Sequence, residues 1–145
     1  MSLFRASPRN VNLGLTILRI ATAVVFINHG RQKLFVYGFT GVSGAFAHMG
    51  VPAPGLMGPL IGILEFFGGI ALLIGLFTRL LSLAFVCDML GAIFLVQLSK
   101  GFGGFEFEFM LLCASLTLAL AGAGRFGVDE MLAQRRERGS PASVR

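Results

Sequence analysis

The chain has 145 residues, of which 55% are hydrophobic and only 13% are charged. Soluble globular domains carry about 25% charged residues, so this composition excludes a soluble globule and predicts a protein of the lipid bilayer. The net charge of +5 comes from loops and tails between apolar runs, which argues against nucleic acid as a partner and follows the positive-inside rule.

Four apolar runs each have about the 20 residues that a helix needs to cross the hydrocarbon core. The first run follows a short charged lead and is interpreted as an uncleaved signal anchor. We therefore predict an all-α fold, a four-helix transmembrane bundle with short loops and one longer outer loop between spans 1 and 2. The predicted spans are residues 13–36, 56–77, 80–98 and 105–123.

The connections differ in length and composition. Residues 37–55 are rich in glycine and proline, with a short helix predicted at 45–49. A tight turn is predicted at Thr78-Arg79 and a glycine-rich loop at 99–104. We assign residues 1–130 to a single membrane domain and residues 131–145 to a basic cytoplasmic tail, whose last residues are expected to be disordered.

Lysine and arginine residues predict the orientation, because cytoplasmic segments carry an excess of them. One side of the predicted bundle holds Arg31, Lys33 and Lys100. The opposite side collects Arg5, Arg9, Arg79, Arg125, Arg135, Arg136, Arg138 and Arg145. This distribution places both termini in the cytoplasm. The expected location of the chain is the inner (plasma) membrane.

The second span carries glycines at helical spacing. Gly58, Gly62 and Gly69 share one face with Glu65, so a neighbouring helix can approach closely and enclose the carboxylate. Gly68 and Gly75 are also predicted to serve helix packing.

Several charged side chains lie at membrane depth, where a charge costs about 2.5–3.5 kcal/mol even on the mildest scale. They should therefore face partners inside the bundle. Arg19 is expected to reach toward Asp88 or Glu65, and Glu106 to share an inward face with Met110, Cys113 and Thr117. The predicted buried polar site comprises Arg19, His29, Lys33, Glu65, Asp88 and Glu106. The alternative is that these charges form ion pairs that only hold the helices together and have no chemical role, as buried ion pairs can do.

Cofactor and metal sites receive little support from the sequence. A haem held by His29 would need a second histidine at matching depth, and His48 falls in the loop instead. No cluster has metal-ligand spacing, so no metal is predicted. Cys87 and Cys113 are isolated, which excludes a disulfide framework and predicts two small buried hydrophobic residues.

A set of short motifs occurs in a recognisable order and spacing. It runs through Arg19, His29-Gly30-x-x-Lys33-Leu34, Gly50-x-Pro52, Glu65-x-x-Gly68-Gly69, Leu72-x-x-Gly75, Arg79, Glu106 and Gly122-x-Gly124-Arg125-Phe126-x-x-Asp129. Over about residues 13 to 130 the chain resembles the DoxX family of small membrane proteins, except at Gly127, where the family often has serine. The resemblance implies a four-helix membrane protein linked to quinones or to redox partner proteins.

The leading functional interpretation is an accessory component of a membrane redox system that binds a quinone through His29, Lys33 and Glu65. A stand-alone enzyme is not expected. One alternative is a non-enzymatic lipid-binding or membrane-protein assembly factor. Another is a small proton-linked carrier that uses Glu65 and Asp88 and works as a homo-oligomer, because four short helices leave little room for alternating access.

Overall fold

The computed structural model describes residues 7–124 and 126–139. Four helices in this part of the chain are long and apolar enough to cross a membrane, which confirms the predicted all-α bundle. Arg5, Arg125 and residues 140–145, the end of the predicted tail, lie outside the described residues.

The first span is longer than predicted. Helix α1 (Pro8–Arg31) starts with a proline in its first turn. The missing N–H of proline costs nothing there, because N–H groups of the first turn have no acceptor within the helix. It continues through a π-helical turn at Gln32–Tyr37. Gly38, with a φ of 67°, then redirects the chain into α2 (Gly38–His48).

Helix α2 replaces most of the predicted outer loop. The short helix predicted at 45–49 was therefore wrong in extent, since α2 has 11 residues. Val42 and Phe46, one turn apart, supply the apolar stripe that the glycines around them obscure in the sequence. Val42 is buried against Gly58 of the second span, where an added Cβ would lie 2.9 Å from Val42 Cγ1.

The remaining spans follow the predicted order. The predicted turn at Thr78-Arg79 lies slightly earlier in the structure, because Gly75 ends the second span with a φ of 75° and Phe77 has a φ of 51°. The second span comprises α3 (Pro54–Ile63), a π-helical turn (Leu64–Gly68) and α4 (Gly69–Ile74). The third span comprises α5 (Thr78–Gly91), a π-helical turn (Ala92–Gln97) and a 3-10 turn (Leu98–Lys100). The fourth span is α6 (Phe102–Ala121), and α7 (Val128–Gly139) follows it.

The core lies between α1, α4, α5 and α6. Its centre is a stacked pair, Phe26 and Phe85, whose ring centroids are 3.8 Å apart. Ala23, Leu72 and Leu118 surround this pair and are fully buried. We call the end where α1 begins and α6 ends the termini end, and the end that carries α2 the loop end.

The prediction that both cysteines are buried was wrong. Cys87 and Cys113 are both exposed, and Cys87 lines the cavity described below. In a bilayer the surroundings are as apolar as the core, so a small hydrophobic residue has no reason to prefer the inside.

Asp129 ties α7 to the start of α5 at the termini end. Its Oδ1 accepts a hydrogen bond from the Phe77 N–H at 2.9 Å and its Oδ2 accepts one from the Thr78 N–H at 2.8 Å. Its own N–H donates to the Gly75 carbonyl at 2.9 Å. Asp129 thus acts as a cap from outside the helix, satisfying amides that the first turn of α5 leaves free.

Replacing Asp129 with alanine is expected to lower the free energy of unfolding by about 1–2 kcal/mol, the usual cost of a lost cap. Thermal unfolding in detergent measures the change. Glu130→Ala is the matched control, because Glu130 is exposed and its side chain accepts a hydrogen bond from Gln134 within α7. Equal stability of the two variants would contradict the capping role.

Candidate functional site

A cavity of about 540 Å³ lies in the half of the bundle nearer the loop end. This volume falls within the range of about 300–1,000 Å³ that is usual for small-molecule sites. Most of its wall is apolar, with Phe26, Leu64, Met89 and Leu111 among the lining residues. The polar lining residues are His29, Lys33, Glu65, Asp88, Gln97 and Glu108.

The cavity opens sideways, between α3 and α5. The second and third spans meet near the turn that joins α4 to α5, whereas α3 and α5 scarcely touch. Leu60 of α3 and Leu95 beyond α5 line the cavity and are 52% and 53% exposed. In a membrane this opening faces lipid.

The strongest polar contact in the site joins α1 to the second span. Lys33 Nζ donates to Glu65 Oε2 at 2.5 Å, and Glu65 is only 3% exposed. Two glycines allow this approach. A Cβ added at Gly62 would lie 3.2 Å from Lys33 Cβ, and one added at Gly30 would lie 2.7 Å from Phe66 Cα.

π-helical turns place three of the polar residues. Lys33, Glu65 and Gln97 each lie within one of the π-helical turns at Gln32–Tyr37, Leu64–Gly68 and Ala92–Gln97. A π turn inserts one residue into a helix, which changes the face on which the following side chains point. Such turns are rare and occur frequently at functional sites.

Two polar atoms in the cavity wall lack a partner among the described residues. Asp88 Oδ2 and Gln97 Oε1 are buried and accept no hydrogen bond, although Gln97 Nε2 donates to Glu108 Oε1 at 3.3 Å. An unpaired buried polar atom costs about 1–3 kcal/mol, and native proteins contain few of them. These two acceptors are therefore available to a hydrogen-bond donor in the cavity.

Four of the predicted site residues come together at the cavity: His29, Lys33, Glu65 and Asp88. The Asp88 carboxyl group lies beside that of Glu65. The His29 ring stacks on Phe107 with centroids 5.7 Å apart, which fixes the imidazole against the wall formed by α6.

Glu106 is not part of the site, and its predicted inward orientation was wrong. Glu106, Met110, Cys113 and Thr117 are all exposed. The face of α6 that points inward carries Glu108, Leu111, Ser115 and Leu118. Both sets have regular helical spacing, so spacing alone could not choose between the two glutamates.

Arg19 is also outside the site, and its expected reach toward Asp88 or Glu65 was wrong. It lies 14 residues before Lys33, about 21 Å along the helix, which puts it at the termini end. Its Nη1 donates to the Ala123 carbonyl at 2.6 Å and its Nη2 to the Phe126 carbonyl at 3.3 Å. Arg19 therefore fastens the segment between α6 and α7 to α1.

Gly127 lies beside this arginine. A Cβ added there would lie 2.8 Å from Arg19 Nη1. The arrangement around Arg19 thus leaves no room for a side chain at Gly127.

Comparison with known proteins identifies relatives of this chain. The DoxX family model matches residues 14–98. The "Putative oxidoreductase CatD" of Bacillus subtilis is 31% identical over 134 residues, which cover 91% of this chain and 96% of the relative. The "Uncharacterized membrane protein Rv3486" of Mycobacterium tuberculosis is 30% identical over 132 residues, 81% of this chain and 80% of the relative. The "Inner membrane protein YqjF" of Escherichia coli is 33% identical over 125 residues, 83% and 93% of the two chains. No protein of solved structure matches the chain.

Proposed function

The chain belongs to the DoxX family of membrane proteins, and on that premise we propose that it is an inner-membrane accessory of a redox system that binds a quinone-like molecule in the cavity. The observation that carries this proposal is a largely apolar cavity with a buried ion pair, Lys33–Glu65, and two unpartnered polar atoms in its wall. The oxidoreductase name of the Bacillus relative agrees with a redox role.

The cavity offers what a quinone ring requires. Apolar walls exclude water from the ring, and Lys33 and His29 can donate hydrogen bonds to its oxygen atoms. The carboxylates of Glu65 and Asp88 can accept hydrogen bonds from those atoms when they are protonated and can take up the protons that they release. His29, Lys33, Glu65 and Asp88 have no redox chemistry of their own, and Cys87 is a single thiol without a second cysteine in the lining. A protein partner in the membrane therefore exchanges electrons with the bound molecule.

Glu65→Gln is expected to reduce the quinone retained through purification by about tenfold, because the change removes one charged partner of the ion pair. Mass spectrometry of organic extracts measures the quinone per protein. Glu106→Gln is the matched control, since it makes the same chemical change on the exposed face of α6.

A second pair of variants tests the volume of the cavity. Gly91 lines the cavity and an added Cβ there meets nothing within 4 Å, so Gly91→Leu should fill the space and expel the ligand. Gly44→Leu adds the same side chain at an equally open, exposed position of α2 outside the cavity lining. Quinone retained equally in all four variants would overturn the proposal.

The sideways opening favours a second candidate, a protein that binds a membrane lipid without redox chemistry. The same extracts separate the two functions. A phospholipid in stoichiometric amount that disappears in Gly91→Leu, with no quinone in any sample, would favour lipid binding.

We propose that both termini are cytoplasmic. Arg9, Arg79, Arg135 and Arg136 are exposed at or beyond the termini end, which the positive-inside rule assigns to the cytoplasm. The cavity then lies in the outer half of the bilayer. A fluorescent protein fused to the C-terminus should therefore fold and fluoresce inside the cell, and a periplasmic reporter at that position should be inactive.

We also propose that the protein forms a homodimer through α1. Gly14, Ile17, Ala21, Val24 and Asn28 recur every three or four residues, as in a coiled-coil seam, and all five are exposed. Asn28 lies near the depth of Gly69 on the second span, because an added Cβ at Gly69 would lie 3.0 Å from the Ile27 nitrogen. An asparagine facing lipid at this depth is costly unless it is paired.

A second copy provides the matching partner for this seam. Both copies have the same orientation in the membrane, so a two-fold axis along the membrane normal brings Asn28 against Asn28 at equal depth. A carboxamide both donates and accepts, so it can bond to its own copy. Arg31 lies about one helical turn after Asn28. In the dimer the two copies of Arg31 would repel each other, so the seam ends there.

Asn28→Leu is expected to reduce energy transfer between differently labelled copies in vesicles by several-fold, since the paired carboxamides contribute about 1–2 kcal/mol. Thr117→Leu removes a polar group from the exposed face of α6 and should leave the transfer unchanged. A monomeric parent protein would contradict the dimer.

A further inference from the structure

The cavity wall holds two hydrogen-bond acceptors whose capacity is unmet. Asp88 Oδ2 and Gln97 Oε1 are acceptors, and both are buried without a partner among the described residues. Gln97 Nε2 is engaged with Glu108, and one N–H of Lys33 is engaged with Glu65. The remaining N–H groups of Lys33 and the His29 ring also line the cavity, so a ligand there meets both donors and unpaired acceptors.

A ligand that relieves both acceptors must bring hydrogen-bond donors. The hydroxyl groups of a quinol or of another aromatic alcohol do so, whereas the oxygens of a quinone are acceptors only. A bound quinone can accept hydrogen bonds from Lys33 and His29 but leaves Asp88 and Gln97 unpaired, whereas a ring hydroxyl group accepts and donates at once.

We propose, resting on the proposed function, that the cavity selects ring hydroxyl groups and therefore binds the reduced form of its ligand more tightly than the oxidised form. The occupant is an aromatic alcohol with an apolar tail that leaves the cavity through the opening between α3 and α5. A hydrogen bond from the ligand to one of these acceptors would make the affinity for the reduced form about tenfold higher than the affinity for the oxidised form. For a two-electron couple, a tenfold preference raises the potential of the bound form by about 30 mV.

The direct test measures binding of three probes to the purified protein by anaerobic calorimetry. Menadiol carries two ring hydroxyl groups, menadione carries two carbonyl groups, and the dimethyl ether of menadiol keeps the ring without any donor. We expect menadiol to bind about tenfold more tightly than either of the other two. Equal affinities, or tighter binding of menadione, would overturn the inference and leave the proposed function standing. Failure of all three probes to bind would overturn both.

Two variants locate the selectivity. Asp88→Asn replaces an acceptor with a group that can donate, so the preference for menadiol should disappear or reverse. Gln97→Met removes the other acceptor at similar volume and should reduce the preference several-fold. Glu106→Gln should keep the parent's preference, because Glu106 is exposed outside the cavity. An unchanged preference in both cavity variants would also overturn the inference.

Discussion

Lys33→Met should lower the free energy of unfolding by about 3–5 kcal/mol, the usual cost of breaking a buried ion pair by removing one partner. The methionine leaves the Glu65 carboxylate, 3% exposed, without its compensating charge. Thermal unfolding in detergent would show this as a large loss of stability, accompanied by a lower yield of folded protein.

The double variant Lys33→Met/Glu65→Gln distinguishes the loss of a pair from the loss of packing. It removes both charges, so most of the stability lost in Lys33→Met should return. Lys100→Met is the matched control, because Lys100 is exposed at the loop end. If the double variant were no more stable than the single one, the contribution of Lys33 would not be electrostatic.

Gly30→Ala should destabilise the bundle, although alanine is the better helix former. A Cβ at Gly30 would lie 2.7 Å from Phe66 Cα and 2.8 Å from the Glu65 carbonyl carbon. Backbone atoms cannot rotate away as a side chain can, so α1 and the second span must separate. Overpacking of this kind costs about 1–3 kcal/mol, and the separation also lengthens the contact between Lys33 and Glu65.

Gly44→Ala in α2 provides a control with the opposite sign. An added Cβ at Gly44 meets nothing within 4 Å, so the variant should gain up to about 1 kcal/mol from helix propensity alone. Unfolding of both variants in the same detergent tests the pair. Gly30→Ala with stability equal to that of the parent would show that the two helices do not approach as described.

The sequence predicted the features that depend on composition along one helix. Four apolar runs became four membrane helices because length and hydropathy suffice to recognise a span. Gly58, Gly62 and Gly69, predicted on one face with Glu65, are all buried, because their spacing follows from helix geometry alone.

Features that depend on how helices are arranged around each other were not predictable. Glu106 and Glu108 lie on different faces of α6, and only the position of α5 and α1 decides which face is inside. The depth of Arg19 depends on where the bundle ends, and its acceptors are carbonyl groups at Ala123 and Phe126. Carbonyl groups have no signature in a sequence. The π-helical turn that contains Gln97 likewise changes a register that regular helix spacing cannot anticipate.

The opening between α3 and α5 determines how occupancy of the cavity depends on concentration. A ligand that arrives through lipid is in equilibrium with its mole fraction in the bilayer, and its aqueous concentration is irrelevant once it has partitioned. Occupancy should therefore fall when vesicle lipid is added at constant total ligand and protein, because the added lipid dilutes the ligand within the bilayer. In a cell, the same protein would respond to the composition of the membrane around it rather than to the contents of either aqueous compartment.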